Sequence, residues 1–410
     1  MGDAPYAPLA GRSIVFGITG GIAAYKAPLI VRSLTSRGAL VDCILTDAAA
    51  RFVTPLSLQS LTGRPIYTRM FPLDHQQAYE IEHISLADKA DLILVAPATA
   101  NCLAKLAHGM ADDLVSATVL ATKAPVLLCP SMNVNMYEHP ATRSNLATLG
   151  ARGLKILEPD KGFLACGWEG KGRLPEPERI AAEVVKILNP QDLAGAKILI
   201  TCGPTCEDID PVRFITNRST GKMGAALVEA ACLRGAEVTV VSGPVALEYA
   251  PWARVIKVRS ASEMLTAVQE ALPDMDVLIM AAAVADYVPK EYRGQKIKKG
   301  GSKMTALELR PSPDILATIK PLKGGRFFVG FAAETQNVEQ NALKKLEGKK
   351  LDMIAANQVG EGLAFDCDDN ALTVYWPGGR RDLERAPKQR LAQSLLEVIA
   401  ERYHAHCAAK

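Results

Sequence analysis

The sequence predicts an α/β protein of two domains with mainly parallel sheets, and three observations predict it. Ser13 to Ile18 is a β-branched run, followed by a Gly20-Gly21 turn, a helical stretch and a second strand, Leu40 to Leu45. That is a βαβ unit, which implies a parallel sheet with helices on its faces. After Asn189-Pro190-Gln191 the order restarts, with a strand at Lys197 to Thr201, a helix at Gly221 to Arg234 and a strand at Glu237 to Ser242. Arg37-Gly38-Ala39 and Arg234-Gly235-Ala236 occupy the same helix-to-strand corner in the two halves. A chain of 410 residues has room for both domains, drawn here as 1–190 and 191–410.

The remaining elements follow in order. Ile22, Leu29, Ile30 and Leu34 share one face of a helix that stops at Gly38. Leu92 to Ala96 and Val126 to Cys129 read as further buried strands of the first half. Asp276 to Ala283, Phe327 to Phe331 and Met353 to Ala356 supply strands to the second. A terminal helix follows Pro387, with Leu391, Leu395, Val398 and Ile399 spaced to pack on the sheet.

Composition narrows the function classes. Apolar residues make up 49% and charged residues 22%, ordinary for a globular chain. Lys+Arg 47 against Asp+Glu 44 leaves a net charge of +3, which excludes nucleic-acid binding through a general positive field. The start lacks a basic region leading into an apolar stretch, and the longest apolar run, Val277 to Ala285, is too short to span a bilayer. The nine cysteines are scattered, without a two-residue gap between any pair, and read as reduced thiols in the cytoplasm.

In the first half, Thr19-Gly20-Gly21-Ile22 joins a strand to a helix, where backbone N–H groups favour a phosphate. The glycine spacing departs from the dinucleotide pattern, and a tight turn without ligand is the plain alternative. Ala96-Pro97-Ala98-Thr99-Ala100-Asn101 and Pro130-Ser131-Met132-Asn133-Val134-Asn135-Met136-Tyr137 also leave strand ends. Their mixture of hydrogen-bonding and apolar groups suits a flat heteroaromatic ring with polar edges, or simply caps helices. His83 stands near a helix start, the usual place of a structural histidine. Cys166, inside Gly162-Phe163-Leu164-Ala165-Cys166-Gly167, is either a small buried thiol or a proton donor in a glycine-rich flap.

Taken together, Gly17 to Lys26, Ala96 to Asn101, the Pro-x-Met-Asn-x-x-Met loop and Ala165-Cys166-Gly167 resemble the flavin-dependent phosphopantothenoylcysteine decarboxylases. The resemblance implies FMN, with its phosphate at Gly20, Gly21 and Ile22 and its ribityl chain and ring near Thr46, Thr99, Asn101 and Ser131. It implies His83 as an essential histidine, Asn133 as the asparagine that recognises substrate and Cys166 as the proton donor. The chemistry explains the cofactor: loss of CO2 leaves a carbanion without an electron sink. Oxidising the neighbouring CH2–SH to a thioaldehyde supplies one, and a returned hydride and proton restore the saturated product.

In the second half, the polar stretch Thr201 to Gly224 leads into a helix. Lys222 is followed by methionine, so the stretch is not a P-loop, although Ser219-Thr220-Gly221 can cap the helix or bind an anion. Lys290, Arg293, Lys296, Lys298, Lys299 and Lys303 form a basic run after a strand end, either a solvated face or a loop closing over phosphates. Gly203-Pro204-Thr205, Asp210-Pro211-Val212-Arg213, Asn217, Gly221-Lys222-Met223-Gly224, Ala283 to Tyr287, Lys296 to Lys299, Pro313-Asp314-Ile315 and Val329 to Thr335 resemble phosphopantothenate–cysteine ligases.

That second resemblance implies a CTP site at Ala281, Ala282, Ala283, Asp286, Lys296, Pro313, Asp314, Ile315, Leu316, Phe331, Lys345 and Lys349. It implies Mg2+, with Asn217 turning over an acyl-cytidylate made from CTP and 4′-phosphopantothenate, and L-cysteine as acceptor. The two resemblances imply two Rossmann-like domains, an FMN-binding flavoprotein domain followed by a nucleotide-binding ligase domain. They also imply a cytoplasmic homo-oligomer, a dodecamer of trimeric decarboxylase and dimeric ligase units, with neither nucleic acid nor membrane as partner.

Overall fold

A computed structural model describes residues 6–70, 81–163, 167–298, 306–334, 336–358 and 367–409. The chain divides into two compact units, Ala7–Asn189 and a second from Pro190 onward.

The first unit is a parallel sheet of β1 (Ser13–Ile18), β2 (Leu40–Leu45), β3 (Ile66–Tyr67), β4 (Leu92–Ala98), β5 (Val126–Pro130) and β6 (Lys155–Ile156). Its order is β3-β2-β1-β4-β5-β6. Every residue of β4 is buried, as expected of a central parallel strand covered on both faces. Val15, Ile93, Val95 and Leu128 pack on one face against Leu103 and Leu106 of helix Ala100–His108 and Leu146 and Leu149 of helix Pro140–Ala151. The order reverses between β1 and β4, which opens a crevice beyond their carboxyl ends. An antiparallel hairpin, β7 (Asp160–Phe163) and β8 (Glu169–Arg173), follows the sheet.

The helix expected directly after Gly21 is broken. A 3-10 turn, Ile22–Lys26, precedes the α-helix Ala27–Thr35, which has Pro28 in its first turn. Proline has no N–H to continue the preceding turn, so the helix restarts there. The tighter 3-10 pitch rotates the apolar stripe. Ile30 and Leu34 are buried as expected, but Ile22 and Leu29 are 59% and 53% exposed.

In the second unit the main strands are β9 (Lys197–Cys202), β12 (Glu237–Ser242), β13 (Arg254–Lys257), β14 (Val277–Met280), β17 (Phe327–Glu334), β18 (Met353–Gln358), β19 (Asp369–Trp376) and β20 (Gly379–Pro387). Short ladders pair β10 (Cys206–Asp208) with β11 (Phe214–Thr216) and β15 (Tyr287–Pro289) with β16 (Leu309–Pro311). The main order is β13-β12-β9-β14-β17-β18-β19-β20, parallel up to β18 and antiparallel after it. The reversal recurs between β9 and β14.

Successive strand residues point to opposite faces. Ile198 and Ile200 accordingly join Leu227 of helix Lys222–Leu233 and Leu391 and Leu395 of helix Lys388–Ala408. Leu199 joins Met264 and Val268 of helix Ala261–Ala271 on the other side. The strand expected over Asp276 to Ala283 is shorter, Val277–Met280, because its continuation is drawn across the sheet end: the Ala283 N–H donates to the Gly203 carbonyl at 2.9 Å.

One charge is fixed inside the first unit. The Asp42 carboxylate, 1% exposed, takes Arg64 Nε at 2.9 Å and Lys89 Nζ at 3.1 Å. Removing it leaves two cations without their shared partner. Because both are about a third exposed, Asp42→Ala is expected to cost about 2–3 kcal/mol, below the full penalty of a broken buried pair. Denaturant unfolding followed by circular dichroism checks this, and an unchanged midpoint would contradict it.

Candidate active sites

In the first unit the crevice is held together by Thr19, 3% exposed. Its hydroxyl donates to the Pro97 carbonyl at 2.6 Å and accepts the Thr99 N–H at 3.2 Å. Thr99 in turn caps helix Ala100–His108 by accepting the Cys102 N–H at 3.3 Å. Gly20 is required by packing alone, since a Cβ there would lie 2.2 Å from that of Ala48. Thr46 accepts the Ala49 N–H at 3.2 Å and so shapes the turn after β2.

The loop after β5 carries the hairpin. The Ser131 N–H donates to the Ala98 carbonyl at 3.1 Å, while the Met132 N–H and the Ser131 hydroxyl donate to the Gly172 carbonyl at 3.0 and 3.2 Å. A Cβ on Gly172 would meet the Met132 carbonyl oxygen at 2.2 Å, so β8 lies against the loop backbone. Asn133 caps helix Val134–Glu138, its Oδ1 accepting the Asn135 N–H at 2.8 Å. Behind it, burial pushes the Tyr137 hydroxyl pKa up, reinforced by its 2.7 Å hydrogen bond to Glu158.

A cavity of about 310 Å³ lies between these loops and the hairpin. Of the residues expected at the flavin site it brings together Gly21, Ile22, Ser131 and Asn133, and adds Lys26, Met132 and Phe163. Lys26 is buried, its Nζ donating to the Leu174 carbonyl at 3.2 Å and to Glu176 at 3.1 Å. Gly20, Thr46 and Thr99 shape the surrounding loops, Asn101 is exposed in helix Ala100–His108, and none of the four lines the cavity. His83, in the first turn of helix Glu82–Lys89, is also outside it; its buried Nδ1 has no hydrogen-bond partner among the described residues. Cys166 lies outside the described residues.

The second unit repeats the arrangement at its own reversal point. Thr201 Oγ1 accepts the Ala282 N–H at 3.2 Å, and Thr205 Oγ1 accepts the Ala285 N–H at 3.1 Å. Asn217 Nδ2 donates to the carbonyls of Ala283 and Val284 at 3.0 and 3.1 Å. Around them opens a cavity of about 520 Å³ that contains the expected Asn217, Ala281, Ala282, Ala283, Asp286 and Phe331. It also contains Asn357, Asn370 and Lys388, which the sequence analysis missed. They come from segments far along the chain, and no motif joins them to the loops they face.

The other expected nucleotide residues stand outside this cavity. Asp314 caps helix Ile315–Ile319, which holds Leu316, by accepting the Ala317 N–H at 2.9 Å, and it pairs with Lys349. Pro313 directly precedes it. Lys345 pairs with Glu334 at the end of β17 at 2.8 Å. Lys296 is exposed, and its neighbour Ile297 anchors the basic segment by donating its N–H to Asp210 at 3.1 Å. The Arg213 guanidinium holds the Asp210 carboxyl well below the usual carboxylate range. Lys299 and Lys303 fall outside the described residues.

Among the described residues no group of three or more His, Cys, Asp or Glu side chains gathers to hold a metal. Nor, among them, is any helix long and apolar enough to cross a membrane.

Comparison with known proteins adds a second line. Residues 4–189 match the family described as Flavoprotein, and residues 193–403 match the DNA/pantothenate metabolism flavoprotein C-terminal domain. A Vibrio vulnificus protein named coenzyme A biosynthesis bifunctional protein CoaBC is 47% identical over 394 residues, 95% of this chain and 98% of that protein. Its Escherichia coli namesake is 46% identical over 400 residues, 96% of this chain and 98% of that one. A crystal structure of the C-terminal domain of a CoaBC covers 52% of this chain and 99% of its own, at 41% identity and a TM-score of 0.46.

The contact between β8 and the loop after β5 can be tested directly. Gly172→Ala puts a methyl group against the Met132 carbonyl, an overpacking expected to cost about 1–3 kcal/mol. The Met132 amide, which donates to the Gly172 carbonyl, should then exchange its hydrogen faster. Unaltered protection at that amide would show that the hairpin does not depend on the glycine.

Proposed function

The chain belongs to the family of coenzyme A biosynthesis bifunctional proteins CoaBC, and from that membership we propose which unit and which residues carry each step. It is a bifunctional enzyme with phosphopantothenate–cysteine ligase and phosphopantothenoylcysteine decarboxylase activities. Residues 1–190 are assigned the decarboxylase and residues 191–410 the ligase. The observation that carries the assignment is a cavity at the strand-order reversal of each sheet, each lined by residues of the corresponding motifs.

The ligase acts first. A carboxylate cannot react with an amine until it has a leaving group, so 4′-phosphopantothenate attacks the α-phosphorus of CTP and releases pyrophosphate. The amine of L-cysteine then displaces CMP from the acyl-cytidylate. Lys296, on the segment anchored to Asp210, neutralises charge on the phosphates during the first step. Asn217 has both amide hydrogens committed to loop carbonyls, which leaves its oxygen as acceptor for the incoming amine. Magnesium enters as counter-ion of the nucleotide, bound through phosphate oxygens, the usual mode for this cation.

The first cavity suits FMN in the chemistry of its walls. Ile22, Met132 and Phe163 offer apolar surface beside the polar Ser131 and Asn133, and the Gly21 turn enters its 3-10 helix without a side-chain cap. Bound there, FMN supplies the reversible two-electron oxidation that decarboxylation needs. Asn133 orients the substrate at the cavity wall and Cys166 delivers the final proton to carbon, while His83, outside the cavity, is assigned its essential role from the family motif and from a buried ring nitrogen without a partner among the described residues. The exposed Leu29, Phe52 and Leu56, outside the cavity, support a homo-oligomer, taken as a dodecamer of trimeric and dimeric units. The free cysteines among the described residues support a cytoplasmic setting.

Purified protein given CTP, cysteine, magnesium and 4′-phosphopantothenate should release pyrophosphate, CMP and CO2, and failure to release any of them contradicts the assignment. With Cys166→Ser, CO2 loss should continue while the product stalls as the unsaturated enethiol; saturated product at the wild-type rate would remove Cys166 from the mechanism. Lys296→Gln should abolish pyrophosphate release, whereas Asn217→Asp should accumulate the cytidylate. Normal peptide-bond formation by either variant would exclude its role.

A further inference from the structure

The hairpin β7–β8 is fastened to the helix that Asn133 caps by side chains to which neither reaction gives a part. Tyr137 of helix Val134–Glu138 is 6% exposed and joins the core with Leu146 and Leu149. Its backbone N–H donates to the Asn133 carbonyl at 3.0 Å, so it stands one helical turn from the capping residue. Its hydroxyl donates to Glu158 Oε2 at 2.7 Å, and Lys171 Nζ, from β8, pairs with the same oxygen. The Lys171 ammonium also lies 5.7 Å from the centre of the Tyr137 ring, within reach of a cation–π attraction. Glu158 itself belongs to the chain between β6 and β7. One carboxylate oxygen thus joins the helix behind Asn133, the entry to the hairpin and its returning strand.

The hairpin needs such a tie because its own pairing is weak. A two-stranded ribbon is marginal by itself in water. In its ladder Lys161 faces Lys171, two like charges directly opposite, and the next pair, Gly162 and Gly170, has no side chains to pack. The register shifts between Asp160 and Lys161, and Asp160 is held at the base by Arg179. Beyond that base β8 rests on the helix, for a Cβ on Gly170 would lie 2.7 Å from Val134 Cγ2. Against burial, which raises it, the hydrogen bonds from Lys171 and Tyr137 hold the Glu158 carboxyl below its usual range, so the acceptor stays ionised for both donors. Phe163 of β7 and Arg173 of β8 line the cavity that Asn133 also lines, and Cys166 falls between the two strands in the chain.

We propose that Tyr137, Glu158 and Lys171 are positioning residues of the decarboxylase, setting by their shared hydrogen bonds how closely the hairpin that carries Cys166 sits to Asn133. This rests on the decarboxylase reading of the first unit. Asn133 serves substrate binding and Cys166 the final proton, and both steps need the two elements at a fixed spacing. An enethiol that escapes before that proton arrives is two electrons and two protons short of the saturated product. The electrons stay with the flavin, so one chain releases one such molecule, and the ratio of the two products is read in a single turnover.

The test uses the full chain with FMN bound and phosphopantothenoylcysteine as substrate. Tyr137→Phe keeps the ring and loses the hydroxyl; Lys171→Met keeps an apolar stem and loses the charge. Each removes a hydrogen bond to a half-exposed carboxylate, which should raise the KM about three- to tenfold and the enethiol fraction with it. Hydrogen exchange at the Met132 amide, which donates to the Gly172 carbonyl, should quicken in both. Lys171→Arg should return all three readings towards wild type. The double variant should be little worse than the more affected single one, because both donors end on one oxygen. Pyrophosphate release by the second unit reports that the chain is intact. Glu158→Gln, at a side chain 54% exposed, stands in for a variant that misfolds and should shift the product ratio the same way. Wild-type KM and product ratio in the variants that fold overturn the inference, and so does a Lys171→Arg chain no better than Lys171→Met. A wild-type chain that releases no CO2 defeats the decarboxylase reading itself, a separate outcome.

Discussion

A buried threonine hydroxyl that bridges two diverging loops is the interaction on which both cavities depend. Where strand order reverses, the two central strands send their helices to opposite faces, and the loops leaving them lose the ladder that paired their backbones. Thr19 in one unit and Thr201 in the other accept a backbone N–H from across that gap, Thr99 and Ala282 respectively, each at 3.2 Å. An amide left unpaired in such a place costs about 1–3 kcal/mol, so the hydroxyl decides whether the gap stays open in a defined shape. These two bridges tie the ends of β1 and β9 to the chain across each gap.

The bridging also shows why the two units divide their labour as they do with one topology. In the first, the space beyond the reversal is closed by a hairpin lying on the loop after β5, which produces a small chamber with apolar sides. In the second, the corresponding space is wider and is bounded by a helix start, the ends of β17 and β18 and the first turn of the C-terminal helix. The sheet is shared; the chemistry follows from what covers its carboxyl edge.

Much of this was legible in the sequence, for identifiable reasons. Ser13–Ile18, Leu40–Leu45 and Glu237–Ser242 are short segments dominated by β-branched and other apolar residues and buried along nearly their whole length, the pattern of strands covered on both sides, and their boundaries coincide with the expected ones. The hairpin β19–β20 escaped because its second strand, Gly379–Pro387, is mostly consecutive exposed charges, Arg380, Arg381 and Asp382 and then Glu384 and Arg385, with Leu383 between them as little apolar signal, as suits an edge strand. The displaced face of Ile22 and Leu29 escaped because a 3-10 turn and an α-helix have different periods, and only Pro28 marks the join. Of the site, the loop residues were readable because they are contiguous. Lys388 was not, since its only local feature is a proline before a helix, and its partners are reached through the fold.

The position of that lysine has a consequence for how the molecule comes into being. The first unit is a single contiguous stretch, Ala7–Asn189, so all its internal contacts become available once that stretch has left the ribosome. Domains generally fold as they emerge, the earlier one first. The other unit cannot finish its cavity until residue 388 has been translated, because the cavity's back wall is the start of the last helix. A nascent chain arrested shortly before that point would carry a complete chamber for the later of the two reactions and an unfinished one for the earlier.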